Sequence, residues 1–397
     1  MKMINIKKIL PVAVLACVLA LSGCGESVSQ EAAVDVTARP LGQSADSKTE
    51  QTTQPAKKNA QNVYCSYERL NDNEKQIYDE MCSLIEQGRT EFELTYDEDD
   101  IAKVYYEVIA DHPEYFWLGS GYSCTITTTN GKKLVSFKPI VSDAADIEQR
   151  KRDMDNTVNA ILSSANRESA LYDKLLYIHD YLVDNTDYDN DAYREMERQP
   201  KSDSVNDATT AYGTIIKKNA VCSGYSAAFQ ILAQKLGVPC GRVSGMKIGG
   251  GSHEWNYVIL DGDYYYIDVT WDDPQSENAA DSSASNKTYD FFCITTDELR
   301  KTHIIDSDQF VPDCTAVRYD YYRYNGLYMD TYERSRAENI IRNTTGSAVT
   351  MKFSTESERQ RAVSELIDDN AFSAITGMNR YIYTMDDAGL TLTIYLD

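Results

Sequence analysis

Three side chains that could do covalent chemistry together follow one another in the sequence: Cys222, His253 and Asp268. A cysteine thiol becomes a strong nucleophile when a histidine takes its proton, and a carboxylate can orient that histidine. Taken singly, each would be ordinary, because a lone cysteine is usually a small buried hydrophobe and an Asp near a strand end often makes turn contacts. Their order and their flanking sequences together favour a catalytic triad.

The residues after Cys222 predict a helix. Apolar side chains recur at helical spacing from Ala227 to Leu236, and Gly237 and Pro239 then end the pattern. We expect the cysteine at the N-terminus of this helix, where the helix dipole and the free N–H groups favour a thiolate. The backbone N–H of the cysteine could also donate to an oxyanion.

A hairpin is predicted to bring His253 and Asp268 together. The turn signal Asp261-Gly262 separates a strand that begins near His253 from a returning strand that leads to Asp268. With Asp261 and Gly262 as the two turn residues, the histidine and the aspartate become diagonal neighbours on one face. A shift of one residue would put them on opposite faces. The spacing therefore predicts a His–Asp hydrogen bond.

These motifs resemble the core of the transglutaminase-like superfamily over residues 211–274. The family pattern is a Cys at the head of a helix, then His-x-Trp-Asn, then a Tyr-rich strand that ends in Asp-x-Thr-Trp. Here it reads Val221-Cys222-Ser223-Gly224-Tyr225, His253-Glu254-Trp255-Asn256 and Asp268-Val269-Thr270-Trp271. The resemblance implies an α+β fold with a papain-like core, in which the helix that carries the Cys packs on an antiparallel sheet that carries the His and the Asp. The family covers transglutaminases, cysteine peptidases, peptide N-glycanases and inactive binding modules, so it indicates the chemistry better than the substrate.

The family often places an aromatic or amide side chain upstream of the Cys to help bind the oxyanion. By position Tyr188 is the candidate here, with a tyrosine packed on the core as the alternative. We interpret His179 as a packed helix histidine and favour a structural role for His303, which could also lie near the site. No Cys-x-x-Cys motif occurs and the four histidines are scattered, so we expect no metal site and no cofactor.

The chain begins with the pattern of a bacterial lipoprotein. Three lysines precede or flank an apolar run from Ile9 to Leu21, and Leu21-Ser22-Gly23-Cys24 has the spelling of a lipobox. Residues 1–23 are therefore predicted to be a signal peptide that is removed before Cys24, which would carry lipid; an ordinary secretory signal is the alternative. Residues 24–62 are polar with almost no large apolar side chains, which is typical of a flexible tether. We expect an extracytoplasmic protein that is held to the cell membrane by its lipid anchor only.

The formal net charge of −23 argues against nucleic acid and against an electrostatic grip on anionic lipid. The partner that we expect is a protein or peptide substrate, with cell-wall-associated proteins as one option. Nine cysteines are present, of which Cys17 and Cys24 belong to the export signal. The spacing of the other seven does not indicate any disulfide pairing.

Two small α+β domains are predicted to flank the core, at 63–143 and 315–397, with the catalytic domain at 144–314. The polar segment 184–207 predicts a long loop at the border of the cleft, and Gly249-Gly250-Gly251 predicts a mobile lip or a tight turn before the histidine. Tyrosines are dense between residues 319 and 328, which favours either a ligand platform or packing between domains.

The sequence as a whole predicts a transglutaminase-like cysteine peptidase or acyltransferase. Cys222 would attack an amide carbon, His253 would take the thiol proton and return it to the leaving amine, and Asp268 would orient His253. Water as the second nucleophile would make the protein a peptidase, and an amine would make it a transglutaminase; the sequence favours hydrolysis only slightly. The alternative is a catalytically inactive binding or scaffold module of the cell envelope, against which the intact triad argues.

Overall fold

The computed structural model describes residues 3–6, 63–130, 132–144, 146–164, 170–198, 205–273, 287–307 and 309–396. The lipidation candidate Cys24, the tether at 24–62 and the signal peptide apart from residues 3–6 lie outside the described residues. Among the helices of the described part of the chain, none combines the length and the apolar character that a membrane crossing requires.

The N-terminal unit is a four-stranded antiparallel sheet with two helices against it. Its strands run in the spatial order β1-β3-β4-β2. The elements are β1 (Met3–Ile6), α1 (Asp72–Glu86), β2 (Phe92–Leu94), α2 (Glu98–Asp111), β3 (Leu118–Thr129) and β4 (Lys132–Val141). Asn71 caps α1 in a reciprocal capping box with Glu74, and Asp97 caps α2. Pro113 disfavours helical geometry at His112 and so helps to end α2.

The central unit is a five-stranded antiparallel sheet in the order β10-β9-β8-β7-β11, with the helix that carries Cys222 packed on it. Its helices are α3 (Ile147–Ser164), α4 (Leu171–Asn185), α5 (Asn190–Arg198), α6 (Cys222–Lys235) and α7 (Thr296–Leu299). Its strands are β7 (Cys240–Lys247), β8 (Ser252–Leu260), β9 (Asp263–Ile267), β10 (Phe292–Ile294) and β11 (His303–Ile305), with a separate short parallel pair of β5 (Asp187–Tyr188) and β6 (Asn219–Ala220). This is the α+β, papain-like arrangement that the sequence predicts.

Helix α6 is buried on almost every side. Alanines and larger apolar residues from Ala227 to Ala233 contact α4 on one side and the strands β7 and β8 on the other. Because the alanines are small, the helix can lie close to both neighbours. The position of Cys222 is therefore fixed by the core and not by a surface loop.

Helix α5 corrects one prediction. The polar segment 184–207 is predicted above to be a loop, which is wrong for residues 190–198 and also for the end of α4 at Asn185 and for β5. Only Ala192 and Tyr193 of this helix are buried. Two adjacent buried residues do not form the repeat of apolar positions, three or four residues apart, by which a helix is recognised in a sequence. The helix is stabilised by tertiary packing, since these two side chains contact Ala208 and Val221.

The C-terminal unit is a four-stranded sheet in the order β12-β13-β15-β14, with helices packed against it. Its elements are α8 (Tyr321–Tyr324), β12 (Tyr328–Met329), α9 (Arg334–Asn343), β13 (Ala348–Phe353), α10 (Glu356–Val363), α11 (Ala371–Thr376), β14 (Tyr383–Asp386) and β15 (Thr391–Tyr395). The dense tyrosines pack between units: the Tyr324 ring stacks on Tyr172 of α4, and the Tyr321 ring stacks on Tyr289, each at 3.8 Å.

Candidate active site

The nucleophile candidate is the first residue of α6. Val221 before it is extended, with φ −97° and ψ 177°, and its N–H donates to the Ala208 carbonyl at 2.9 Å. At Gly224, in the first turn, a Cβ would lie 2.6 Å from the same Ala208 carbonyl oxygen. Glycine is therefore needed where the helix start passes under this segment. Cys222 itself is only 6% exposed.

The hairpin between β8 and β9 has the register that the sequence predicts. Leu260 pairs with Asp263, and both turn residues have positive φ, 53° at Asp261 and 93° at Gly262, as in a type I′ turn. This register brings His253 Nε2 to 2.6 Å from Asp268 Oδ2. The two-residue turn thus builds the His–Asp hydrogen bond.

His253 connects the thiol to the carboxylate. Its ring is hydrogen-bonded to both Asp268 and the Cys222 thiol. Because Nε2 faces the carboxylate, Nδ1 is the nitrogen that is left for the thiol. Burial lowers the pKa of His253, but Asp268 and Cys222 raise it by more, to about 10. The imidazole is therefore poised to hold the thiol proton.

The carboxylate of Asp268 is hydrogen-bonded to four different groups of the described residues. Oδ2 faces His253 and also His303, whose Nε2 lies 3.1 Å away. Oδ1 accepts from the backbone N–H groups of Thr270 and Trp271 at 3.1 and 3.2 Å. Burial raises the pKa of Asp268, but the two imidazoles more than offset this and hold it well below its usual range.

The structure places His303 at the site, which the sequence analysis gave as the alternative to the structural role that it favoured. It begins β11, which pairs with β7 at the edge of the sheet, and it is 2% exposed. The rings of Trp255, Trp271 and Phe291 surround it at 4.4–5.5 Å between centroids. The strand order of the sheet, not the local sequence, brings His303 and Asp268 together. The residues around His303 therefore give no sequence signal for this contact.

His253, Asp268 and His303 offer three ligand atoms close together, which raises the question of a metal ion. A tetrahedral zinc about 2.1 Å from each ligand atom would keep those atoms roughly 3.4 Å apart. The two Nε2 atoms lie 2.6 and 3.1 Å from Asp268 Oδ2, so these distances fit hydrogen bonds between the side chains better than a shared ion.

Tyr188 lies beside the segment that leads to the cysteine. In the parallel β5–β6 pair it stands opposite Ala220, two residues before Cys222. Its half-buried ring packs in the cluster that contains Val221 and Tyr193. This position is compatible with the predicted oxyanion role, which stays a prediction.

Helix α5 bridges the two segments that carry the cysteine and the histidine. Tyr193 packs in the same apolar cluster as Val221, which precedes the cysteine. Glu197 accepts a hydrogen bond from the Ser252 hydroxyl at 2.7 Å, next to the histidine. All three residues of the Gly249-Gly250-Gly251 turn have positive φ, between 97° and 106°. Helix α5 therefore lies beside the segments that carry the thiol and the imidazole, and we expect it to cover them.

The two acids after the Asp268 turn anchor it to the core. Asp272 Oδ2 lies 3.2 Å from His179 Nε2 of α4, and Asp273 Oδ2 accepts from the Tyr225 hydroxyl of α6 at 2.7 Å. His179 is completely buried, as predicted for a packed helix histidine. The acids of this motif thus fix the turn that holds Asp268.

A second thiol–imidazole pair lies in the N-terminal unit and has different surroundings. Cys82 Sγ is 3.6 Å from His112 Nε2, and Nδ1 of the same ring is 2.8 Å from Glu114. Burial raises the pKa of the Cys82 thiol to about 12. This cysteine stays protonated at neutral pH and provides an internal comparison for Cys222.

A buried thiol, imidazole and carboxylate in one hydrogen-bonded series, carried by a helix N-terminus and an antiparallel sheet, define the papain-like class of site. Residues 157–269 match the family model of the Transglutaminase-like superfamily. The chain thus contains a transglutaminase-like domain, and all three triad candidates lie inside it, whereas His303 lies beyond its end.

Among solved structures, the chain is similar to a TGase, with 16% identity and a TM-score of 0.28, over 50% of this chain and 52% of that chain. It is similar to a proposed cysteine protease from Cytophaga hutchinsonii, with 14% identity and a TM-score of 0.25, over 49% and 78% of the two chains. It is also similar to a proposed protease from Parabacteroides distasonis, with 10% identity and a TM-score of 0.23, over 38% and 36%. The alignment spans about half of the TGase, and none of these TM-scores is high enough to support an argument about function. No curated protein matches the sequence.

Proposed function

We propose that this protein is a thiol-dependent hydrolase that cleaves amide bonds in peptide or protein substrates through a Cys222 thioester. The observation that carries the proposal is the hydrogen-bonded series in which His253 contacts both the Cys222 thiol and the Asp268 carboxylate. The transglutaminase-like domain at 157–269 supports the same chemistry.

The proposed reaction uses the three triad residues in turn. His253 takes the proton of Cys222, and the thiolate attacks the carbonyl carbon of the substrate. The oxyanion that forms lies near the N-terminus of α6, where the Cys222 N–H can donate to it and Tyr188 is the candidate second donor. His253 then gives its proton to the leaving amine, and Asp268 keeps the imidazole oriented throughout.

Water and an amine are the two candidates for release of the acyl group. Water needs no binding site of its own, whereas an acceptor amine needs a site that holds it and excludes water. We therefore propose hydrolysis as the main outcome, with transamidation as the second. A peptide library that is incubated with and without a primary amine separates the two by product mass.

The first test is the alkylation of Cys222 by iodoacetamide at pH 6, read by peptide mass spectrometry. We expect fast labelling of Cys222, no labelling of Cys82 in the same molecules, and loss of Cys222 labelling in His253→Ala. The matched control is His112→Ala, which removes the imidazole of the other thiol–imidazole pair and should leave Cys222 labelling unchanged. Labelling of Cys222 only above about pH 8, as for an ordinary thiol, would contradict the proposal.

Substitution Cys222→Ala then separates an enzyme from a scaffold. An enzyme loses substrate turnover and keeps substrate binding. Unchanged cellular function in Cys222→Ala would instead favour an inactive binding module of the cell envelope.

We also propose that the protein is a lipoprotein on the outer side of the cell membrane. The lipobox spelling that ends at Cys24 supports this proposal. A fatty-acid label fed to cells that express the full chain should appear on the protein and should be lost in Cys24→Ser. Labelling that persists in that variant would contradict the proposal.

A further inference from the structure

A second histidine reaches the carboxylate that orients His253. His303 Nε2 lies 3.1 Å from Asp268 Oδ2, the same oxygen that lies 2.6 Å from His253 Nε2. The two imidazole centroids are 5.3 Å apart. One carboxylate oxygen is thus shared by two imidazoles, and the second imidazole comes from β11, outside the family match at 157–269.

The orientation of the carboxylate does not depend on His303. Asp268 Oδ1 is already held by the backbone N–H groups of Thr270 and Trp271, in the turn that follows it. Removal of His303 should therefore leave the carboxylate in place. The change is in how strongly Oδ2 attracts the His253 proton. A second N–H donor on that oxygen, from His303, weakens the hydrogen bond that the oxygen accepts from His253.

The neighbours of His303 favour a neutral ring with its proton on Nε2. A neutral imidazole has one N–H, and an Nε2 lone pair that faced Asp268 Oδ2 would be repelled by the carboxylate. On the other side of the ring, Thr302 Oγ1 lies 2.8 Å from Nδ1 and can donate its hydroxyl proton there. The same Thr302 hydroxyl lies 3.2 Å from the Leu299 carbonyl. When the His303 proton is on Nε2, the hydroxyl can donate to Nδ1; when it is on Nδ1, the hydroxyl donates to the carbonyl instead.

The charged and titratable groups that face His303 act in opposite directions. Burial lowers its pKa, Asp268 raises it, and the positive charge of His253 lowers it again, so that the net shift is downward. Lys247, its register partner on β7, places its amine over the Tyr193 ring. The rings of Trp255, Trp271 and Phe291 that surround it carry no charge.

We propose that His303 is a positioning residue of this site, which shares Oδ2 of Asp268 and so limits how tightly the carboxylate holds the proton of the His253 imidazolium. The inference rests on the proposed function, because it concerns the step in which His253 returns that proton to the leaving amine. A histidine that held the proton too tightly would still form the thiolate but would be a slow general acid.

The test is an NMR titration of His253 in the full-length chain labelled with ¹⁵N-histidine. Because the chain has only four histidines, the spectrum contains few signals to assign. The titration is done in a Cys222→Ala background, because the thiolate also raises the pKa of His253. Addition of His303→Phe, which keeps an aromatic ring but removes the donor, should raise the His253 midpoint by about one pH unit. His303→Gln, whose amide can donate from about the position of Nε2, should restore the lower midpoint. His112→Phe is the control and should leave it unchanged.

An unchanged or lower His253 midpoint in His303→Phe would overturn the inference. If that variant does not fold, the inference is tested instead by the ¹⁵N chemical shifts of His303 in the unsubstituted chain, which report which ring nitrogen carries the proton. A proton on Nδ1 instead of Nε2 at pH 7 would also overturn the inference. Neither measurement needs turnover. Failure to hydrolyse any amide would count against the proposed function alone.

Discussion

At the scale of single residues, Asp268 shows how a carboxylate stays ionised in the core. Burial of a charge is costly unless hydrogen bonds replace the lost water. Here the replacement is complete, with two imidazoles on Oδ2 and two backbone N–H groups on Oδ1. The retained charge stabilises the His253 imidazolium.

Substitution Asp268→Asn should remove that charge while keeping nearly the same shape. We expect the rate of Cys222 alkylation at pH 6 to fall by about 10²-fold, which corresponds to a loss of about 2.7 kcal/mol of ion-pair stabilisation. The control is Asp273→Asn, which alters the buried carboxylate that is bonded to Tyr225. An equal loss of alkylation in both variants would show that the effect is structural disturbance of the turn.

At the scale of elements, the site depends on three segments that meet over it: the start of α6, the β8–β9 hairpin and helix α5. The first two carry the reacting groups. Helix α5 adjoins both of them, because Tyr193 shares an apolar cluster with Val221 and Glu197 accepts a hydrogen bond from Ser252. Since Cys222 is 6% exposed and His253 is 5% exposed, side chains around the thiol must move before a substrate can reach it.

The contact between α5 and the glycine turn can be tested with two alanine substitutions. Gly249 and Gly251 both have φ near +100°, so alanine carries a similar backbone strain at either position. Only at Gly251 would the added Cβ collide with the Tyr193 hydroxyl. We expect Gly251→Ala to displace α5 and to speed alkylation of Cys222 by a bulky maleimide several-fold, while Gly249→Ala does not. Equal rates in the two variants would contradict the covering role of α5.

The His179–Asp272 contact between α4 and the catalytic turn predicts a pH dependence of stability. Burial lowers the pKa of His179, but Asp180 and Asp272 raise it further, to about 9. Because the folded pKa lies above the unfolded value of about 6.5, the stabilisation is complete below pH 6.5. It is lost as the pH rises towards 9.

The change in unfolding free energy over this range is on the order of 3 kcal/mol at most. Urea unfolding at pH 6.5 and pH 9 should therefore show a smaller loss of stability in His179→Gln than in the natural chain. Parallel losses in the two proteins would contradict this prediction.

At the scale of the whole molecule, the N-terminal unit supports the helix that carries the nucleophile. The last carbonyls of α2 have no partner within their own helix. Side chains of the central unit supply the donors: Gln230 and Gln234 of α6 bond to Ala110 and Asp111 at 2.9 and 3.0 Å, and Arg242 of β7 bonds to Ile109 at 3.0 Å. The N-terminal unit thus helps to fix α6, although it contributes no side chain to the triad.

Substitution Gln230→Met removes one of these supports while preserving volume. It takes the donor from the carbonyls of Ala110 and Cys240, so we expect a loss of about 1–3 kcal/mol in unfolding free energy. The control is Gln360→Met on the exposed face of α10, which should change stability by less than about 0.5 kcal/mol. Chemical denaturation measures both, and equal values would contradict the supporting role of Gln230.

Sequence alone is enough to place the three reacting groups in order, to begin α6 at Cys222 and to set the register of the β8–β9 hairpin. These features are local, because helical periodicity and a two-residue turn are written in neighbouring residues. The folded structure was needed to show that His303 shares Asp268, that residues 190–198 form a helix beside the site and that Gln230 bonds to α2. Each of these joins segments that are distant in sequence, and their pairing depends on strand order and packing, which no local pattern encodes.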